Sequence, residues 1–169
     1  MQTLEAIFKR RSIRKFTNQK IKDEDIKTLL RAAMMAPTAR NAQEWEFLVI
    51  RDKKTFDRIM AVHPHAGMLD SADTAIVVCG NLQKEYYPGY WVGDCGAATQ
   101  NILLAATELG IASVWLGVQA AKDRRDGVKK VLNLPDGIEP FCIIALGYPA
   151  ETRDQADRYD KAKVHYENW

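Results

Sequence analysis

The sequence has few cysteines and no long apolar run. Its three cysteines, Cys79, Cys95 and Cys142, are widely spaced and contain no Cys-x-x-Cys pair, which argues against a disulfide framework and against a zinc site. No stretch approaches the roughly 18 apolar residues of a membrane-spanning helix, and the N-terminus lacks the apolar core of a signal peptide. The sequence therefore predicts a cytoplasmic protein with no membrane partner.

The sequence also lacks a strong excess of charge of one sign. It has 24 basic and 22 acidic side chains, a balance too even to indicate a nucleic-acid or membrane partner by itself. The N-terminal segment is the exception, because Glu5 is its one acid up to position 22. The basic residues of that segment are Lys9, Arg10, Arg11, Arg14, Lys15, Lys20 and Lys22. The segment either binds an anion or forms a solvated surface.

Several motifs of common enzymes are missing. There is no Gly-x-Gly-x-x-Gly or P-loop pattern and no Gly-x-Ser-x-Gly elbow, which argues against the usual nucleotide-binding folds and against a hydrolase. His63 and His65 form a possible metal pair, but no third ligand has suitable spacing, so loop histidines without a ligand role are the favoured interpretation. No catalytic side chain is expected, and a bound cofactor would have to supply the chemistry.

Hydrophobic periodicity predicts about five helices interleaved with short strands. Helices are expected up to Arg10, from a cap at Asp23, from Asp52, at 94–109 before Gly110, and at 123–132. Strands are expected at 47–50, 74–79, 112–116 and 141–146, with loops at 62–71 and 85–93. This order predicts one α/β or α+β domain over residues 1–169.

Two segments predict contact with a second subunit. The helix at 94–109 is apolar on most sides, which is typical of a helix in the middle of a core or between two subunits. The tail at 150–169 is too charged to form its own core, yet it carries Tyr166 and Trp169. These rings need a surface to pack on, and a partner subunit can provide it.

Three constellations could bind a ligand. In an extended segment Arg10, Ser12 and Arg14 point to the same side and would surround one anion with two guanidinium groups and a hydroxyl. On charge alone, a solvated basic run or a nucleic-acid patch is the more common explanation. The loop at 37–45 is rich in amides that suit the edge of a heterocycle, although Asn41 could simply cap a turn. At 115–117, Trp-Leu-Gly ends a strand, where glycine permits close approach of a flat ligand.

In order and spacing, these pieces resemble the nitroreductase family of flavoproteins. The matching stretches are RRSIRKF (10–16), APTARNAQEW (36–45), GAATQNILLAATELGIASVWLG (96–117), LNLPDGIEP (132–140), IIALGYP (143–149) and RYDKAKVHYENW (158–169). The resemblance implies an α+β fold of three layers, α/β/α, with a mixed, mainly antiparallel sheet flanked by helices. It also implies an intertwined homodimer in which the tail packs on the partner.

The resemblance further implies FMN as cofactor and NAD(P)H as co-substrate. Arg10, Ser12 and Arg14, with Arg11 beside them, would hold the phosphate, ribityl chain and pyrimidine edge of the flavin, and a basic tail residue would close on the phosphate. The loop of the other subunit would form the opposite wall, and Gln43 would support that loop. The strand end would place the backbone N–H groups of Leu116 and Gly117 near flavin N5. The remaining residues implied for the flavin site are Pro37, Thr38, Ala39, Asn41, Trp115 and Arg158.

The implied activity is ping-pong hydride transfer through N5 to a small electron-poor acceptor such as a nitroaromatic or quinone. A reductase acting by dehalogenation or on enoates is the alternative, and a nucleic-acid-binding protein without enzymatic activity is a more distant one. Ala39 and Glu44 depart from the family, which often has serine and proline there, and Ala156 replaces a first basic tail residue. The choice of acceptor is expected to fall to the loops at 62–67 and 85–91.

Overall fold

The computed structural model describes residues 2–169 of the chain. Its helices are α1 (Thr3–Lys9), α2 (Asp23–Ala33), α3 (Lys53–Val62), α4 (Trp91–Glu108) and α5 (Lys122–Val131). Its strands are β1 (Trp45–Ile50), β2 (Thr74–Asn81), β3 (Ala112–Gly117) and β4 (Ile138–Gly147), and single 3₁₀ turns lie at 39–41, 67–70 and 161–163. Among these residues no helix is long and apolar enough to cross a bilayer.

The four strands form one sheet in the order β1-β2-β4-β3, and every neighbouring pair is antiparallel. A parallel bridge between Ser12 and Ser113 adds a short piece of the N-terminal segment to the free edge of β3. The predicted mainly antiparallel sheet is therefore confirmed, and its parallel part in residues 2–169 is this one bridge.

Alternate residues of the central strands enter two different cores. On one face of the sheet, Ile76 and Val78 pack with α2 and α4. On the other face, Ala75 and Val77 pack with α3 and α5. Side chains of a strand alternate between its faces, so an almost continuous apolar run is needed where both faces are covered. The predicted three-layer α/β/α arrangement is confirmed.

Strand β4 is longer than the predicted 141–146. Pro140 indicates a break in a central strand because it has no N–H to donate, but the structure accommodates it at a bulge. Val78 pairs with Cys142 and Cys79 pairs with Pro140, so Phe141 is the additional residue on β4. The carbonyl of Phe141 accepts hydrogen bonds from both Val118 and Gln119 just beyond β3.

Three helix starts differ from the prediction, that of α5 by one residue, since it begins at Lys122. Asp23 is the first residue of α2 and not its cap. At this position its negative carboxylate interacts favourably with the positive, N-terminal end of the helix dipole. Helix α4 begins at Trp91 and not at Asp94, because the Trp91 ring is buried against Gly80 and Phe141. The cap at Asp52 is confirmed, since its Oδ2 accepts from the Thr55 amide at 2.9 Å.

Main-chain hydrogen bonds attach the N-terminal segment to the sheet. The Ile13 amide donates to the Ser113 carbonyl at 3.1 Å, and Thr17 donates to Tyr148 at 2.8 Å. Ile13 and Phe16 are buried, and a Cβ at Gly147 would lie only 2.7 Å from Phe16 Cβ. The segment that carries the arginines is thus part of the fold.

Asp73 anchors the end of this segment. Its buried carboxylate accepts from the Ile21 amide at 3.1 Å and from Thr74 Oγ1 at 2.9 Å, and Lys20 Nζ lies 3.0 Å away. Burial opposes ionisation, but the hydrogen bonds from Ile21, Lys20 and Thr74 outweigh it, so the pKa of Asp73 is lowered. The charged carboxylate is therefore the form that the fold stabilises.

We expect Asp73→Asn to lower the free energy of unfolding at pH 7 by about 1–3 kcal/mol, because hydrogen bonds to the charged group are lost. The pKa of Asp73 in the folded protein lies below the ordinary value of about 3.9. The stability that its carboxylate contributes is therefore fully present above that value and is lost as the pH falls through the folded pKa. Urea unfolding at pH 7 and near pH 3 measures the difference. Asp70→Asn, an exposed carboxylate nearby, is the control. An equal effect of both variants would contradict the anchor.

Candidate active site

A first cavity of about 700 Å³ lies where α1 ends and the tail passes. Arg10 is the C-cap residue of α1, and burial lowers its pKa, with the charges of Arg158 and Arg11 lowering it further. Positive charges this close repel each other, and a bound anion would relieve that repulsion. The lining residues are Ile7, Phe8, Arg10, Arg11, Gln155, Ala156, Asp157, Arg158 and Tyr159. The cavity has the charge and size to accept a phosphate.

Arg11 connects the helix end to the tail. Its Nε donates to the Asp154 carbonyl at 2.9 Å, and its Nη1 donates to the carbonyls of Phe8 and Arg10 at 2.8 and 2.7 Å. Its Nη2 is buried and has no hydrogen-bond partner in the described part of the chain. Because an unpaired buried donor is costly, this atom fits an anionic oxygen.

A second cavity of about 500 Å³ lies at the free edge of β3. Arg14 and Arg124 line it and no acidic side chain does, which again favours a group that carries or develops negative charge. The lining residues are Arg14, His63, His65, Gly67, Met68, Val114, Trp115, Leu116, Gly117 and Arg124. The two cavities thus lie at the two ends of the segment 10–14.

The edge of β3 offers unpaired backbone donors to the second cavity. Ser113 directs its carbonyl away from β4, because it accepts from Ile13. N–H and C=O groups of alternate residues in an antiparallel strand point to the same edge, so Trp115 and Gly117 also face outward. Leu116, which was expected to direct its N–H toward the flavin, instead faces β4. No atom lies within 4 Å of the position that a Cβ would take on Gly117. A flat ligand can therefore approach this amide closely.

The carbonyl of Gly117 accepts two hydrogen bonds. Arg124 Nη1 lies 2.6 Å away and His63 Nε2 lies 3.1 Å away. The other ring nitrogen of His63 accepts from the His65 amide at 3.3 Å. Burial lowers the pKa of His63, and the charge of Arg124 lowers it further. His63 is thus a neutral imidazole with both ring nitrogens in hydrogen bonds. Residues 2–169 contain no cluster of His, Cys, Asp and Glu that could hold a metal ion.

The loop at 37–43 lines neither of these cavities in its own chain. Thr38 Oγ1 accepts from the Gln43 amide at 3.2 Å, and Asn41 Oδ1 accepts from Gln43 Nε2 at 2.8 Å. The Ala39 amide donates to Asp94 Oδ2 at 2.8 Å. These contacts fix the shape of the loop, and Pro37 at its start is exposed.

Arg10 and Arg14, which were expected to surround one anion together with Ser12, line different cavities in this structure. Arg10 lines the first cavity, Arg14 lines the second, and Ser12 lies between them in the bridge to Ser113. The Arg10 backbone has left the helix, but its amide still donates to the Ala6 carbonyl at 2.9 Å, which holds Arg10 beside the end of α1. Arg158 lines the first cavity with Arg10, as the family resemblance implies.

Two residues beside the second cavity have a role that was not predicted. Arg124 was not singled out and His63 was interpreted as a loop histidine, because they meet at Gly117 from α5 and from the end of α3 and no local pattern connects them. Glu44 is buried, and its pKa is raised first by burial and then by the adjacent carboxyl of Asp94. The only signal for Glu44 was its departure from proline in the resembled family.

Comparisons with known proteins agree with this fold. The model of the nitroreductase family matches residues 7–67 and 61–148. A Methanothermobacter thermautotrophicus protein described as a "putative NADH dehydrogenase/NAD(P)H nitroreductase" is 43% identical over 100% of this chain and 88% of its own. A structure so described from Parabacteroides distasonis is 40% identical with a TM-score of 0.96, covering 100% and 99% of the two chains.

An FMN-dependent nitroreductase from Clostridium difficile is also similar. It is 28% identical with a TM-score of 0.91, covering 98% of this chain and 99% of its own. The family model thus covers both the arginine segment and the strand that ends at Gly117, and the fold agrees over nearly the whole length. This chain belongs to the nitroreductase family.

Proposed function

We propose that this protein is an FMN-dependent oxidoreductase that uses NAD(P)H to reduce electron-poor acceptors such as nitroaromatics or quinones. The observation that carries the proposal is the pair of basic cavities at the two ends of the segment 10–14. One suits a phosphate and the other a flat ring with a polar edge. Relatives named as an NAD(P)H nitroreductase and an FMN-dependent nitroreductase support the same cofactor and reductant.

The phosphate of FMN would bind in the first cavity. Arg10 and Arg158 supply two positive charges, and Arg11 supplies the unpaired Nη2. Guanidinium groups bind phosphate oxygens through paired, charge-assisted hydrogen bonds. Ser12 lies next along the segment, where its hydroxyl would meet the ribityl chain.

The ring system would lie in the second cavity. Arg14 would face the pyrimidine edge, and the outward N–H groups of Trp115 and Gly117 would face N5, with Leu116 packed beneath them in the core. Bound FMN supplies N5, the atom that takes a hydride from NAD(P)H and passes it on. Arg14 would stabilise the negative charge that develops near the N1–C2 carbonyl. Because one exposed face serves donor and acceptor in turn, the kinetics should be ping-pong.

A second copy of the chain would complete the site. The loop residues Pro37, Thr38, Ala39 and Asn41 would reach the flavin from the partner, since they line neither cavity of their own chain. The surface supports a homodimer, because α1 exposes the apolar residues Leu4, Ile7 and Phe8, and the tail exposes Tyr166 and Trp169. Large apolar side chains exposed in groups are typical of an interface.

Replacement of both Arg10 and Arg14 by Ala should weaken FMN binding by about 100-fold or more, because each removes charge-assisted hydrogen bonds of roughly 1.5–3 kcal/mol. Quenching of FMN fluorescence on titration measures the dissociation constant. The control Lys27→Ala/Arg31→Ala removes the same charge from exposed positions of α2. Full FMN occupancy in the Arg10/Arg14 variant would refute the assignment.

Gly117→Ala should leave the free energy of unfolding within about 0.5 kcal/mol of wild type, because the methyl group meets no atom of the chain. It should weaken FMN binding about tenfold, since the methyl group occupies space that the ring needs. Gly93→Ala, a helical position that is equally open, is the matched control. If both variants bind FMN like wild type, the flavin does not contact this strand end.

The activity itself is tested with the FMN-loaded protein under anaerobic conditions. NADH or NADPH should bleach the flavin absorbance without an acceptor, and a nitroaromatic or quinone should then restore it. Initial rates at several acceptor concentrations should give parallel double-reciprocal lines. An acceptor panel that includes halogenated and enoate compounds tests the alternative substrates. If neither nicotinamide nucleotide bleaches the flavin, the proposed activity is wrong.

A further inference from the structure

Two side chains from different parts of the fold converge on one carbonyl beside the second cavity. Arg124 reaches the Gly117 carbonyl from the first turn of α5, and His63 reaches it from the residue that ends α3. A carbonyl oxygen has two lone pairs, and here both have a donor. The Nε of Arg124 is buried and has no partner within the described residues, so the carbonyl of Gly117 is the principal fixed contact of this guanidinium.

The two bonds fix a carbonyl group that faces away from β4 and has no partner strand on that side. Glycine is the residue with the greatest backbone freedom, and Gly117 is the last residue of β3 on an open edge. On the far side of the same peptide group, Val118 donates to the Phe141 carbonyl at 3.1 Å. Donors on one side and an acceptor on the other therefore hold the Gly117–Val118 peptide plane in one orientation.

We propose that Arg124 and His63 are positioning residues that fix the Gly117–Val118 peptide. Because the preceding Leu116–Gly117 peptide is paired to β4, both peptides around Gly117 are then held, and its outward N–H already faces the second cavity before a ligand arrives. The inference rests on the proposed function, in which this N–H meets flavin N5. Neither side chain is required to touch the flavin. Their effect is to reduce the backbone freedom that binding would otherwise have to remove.

The arrangement depends on the protonation of His63. Its Nδ1 can accept from the His65 amide only while the ring is neutral. The charged or titratable groups facing it are Arg124 on α5, His65 in its own loop and Arg14 of the N-terminal segment. A proton on His63 would add a positive charge beside those of Arg14 and Arg124 and turn the accepting Nδ1 into a second donor. The hydrogen bond from the His65 amide, which holds the ring beside Gly117, should therefore be lost on acidification.

The first test compares Arg124→Met, Arg124→Lys and the control Arg125→Met in FMN-loaded protein. Arg125 is the neighbouring residue on α5 and pairs with Glu139 and Asp126 away from the cavity. Arg124→Met should raise the FMN dissociation constant by about tenfold or more, as is typical when a supporting contact of a binding group is lost, and shift the midpoint potential to more negative values. Arg124→Lys should restore part of both, because it returns a charge and one donor.

The proposal would be overturned if Arg124→Met and Arg125→Met had the same FMN dissociation constant and midpoint potential. Circular dichroism checks that both variants are folded. Tight FMN binding by wild type in that experiment would leave the proposed function intact. Failure of wild type itself to bind FMN would instead refute the proposed function. A wild-type midpoint potential in Arg124→Met would also overturn the positioning role, whatever the change in affinity.

The second test follows FMN affinity with pH in wild type and His63→Gln. Glutamine can keep a donor near the Gly117 carbonyl but does not titrate. Because the pKa of His63 is lowered, its protonation begins below the ordinary value of about 6.5, so wild-type affinity should be constant above that value and fall below it. The fall should be smaller in His63→Gln, and the difference isolates His63 from other titrating groups. Identical profiles for the two proteins would contradict a role for His63.

Discussion

The attachment of the N-terminal segment to the sheet determines where the arginines lie. Ile13 hydrogen-bonds to the free edge of β3, and Phe16 packs against Gly147 at the end of β4. With these two side chains buried, Arg14 must lie outside the core, while Arg10 is held by the end of α1. The guanidinium groups are therefore separated along a fixed segment. That separation matches a ligand with its charge at one end and its ring at the other, and it does not match a compact anion.

The sequence predicted the layers of this fold better than the geometry of the site. Period-two and period-3.6 patterns depend only on neighbours in the chain, which is why β2, α3 and the stop at Gly110 could be recognised. The extension of β4 back to Ile138 was not predicted, because the bulge that accommodates Pro140 depends on the partner strand. The meeting of Arg124 and His63 at Gly117 depends on packing between elements about 60 residues apart, for which one sequence contains no signal.

The chain has few groups of its own for redox or nucleophilic chemistry. Burial raises the pKa of Cys79 and Cys142 to about 12, so these thiols remain protonated and unreactive near neutral pH. His63 has both ring nitrogens occupied by the backbone. What the structure concentrates at its cavities is positive charge and fixed backbone donors, and these act on a ligand that brings its own reactive atom. A protein that binds and orients a ligand, while the ligand carries the reactive atom, agrees with membership of a flavoprotein family.

The loop at 37–43 carries a conformational cost that its own chain does not explain. Arg40, Asn41 and Gln43 have φ values of 55°, 56° and 50°, a region that disfavours side chains other than glycine and asparagine by roughly 1–2 kcal/mol each. Asp94 fixes the loop through the Ala39 amide, and buried Glu44 follows directly after it. A costly conformation held this firmly is typical of a surface prepared for a ligand or another chain. The loop lines neither basic cavity of its own chain, so the contacts within this chain do not account for its conformation.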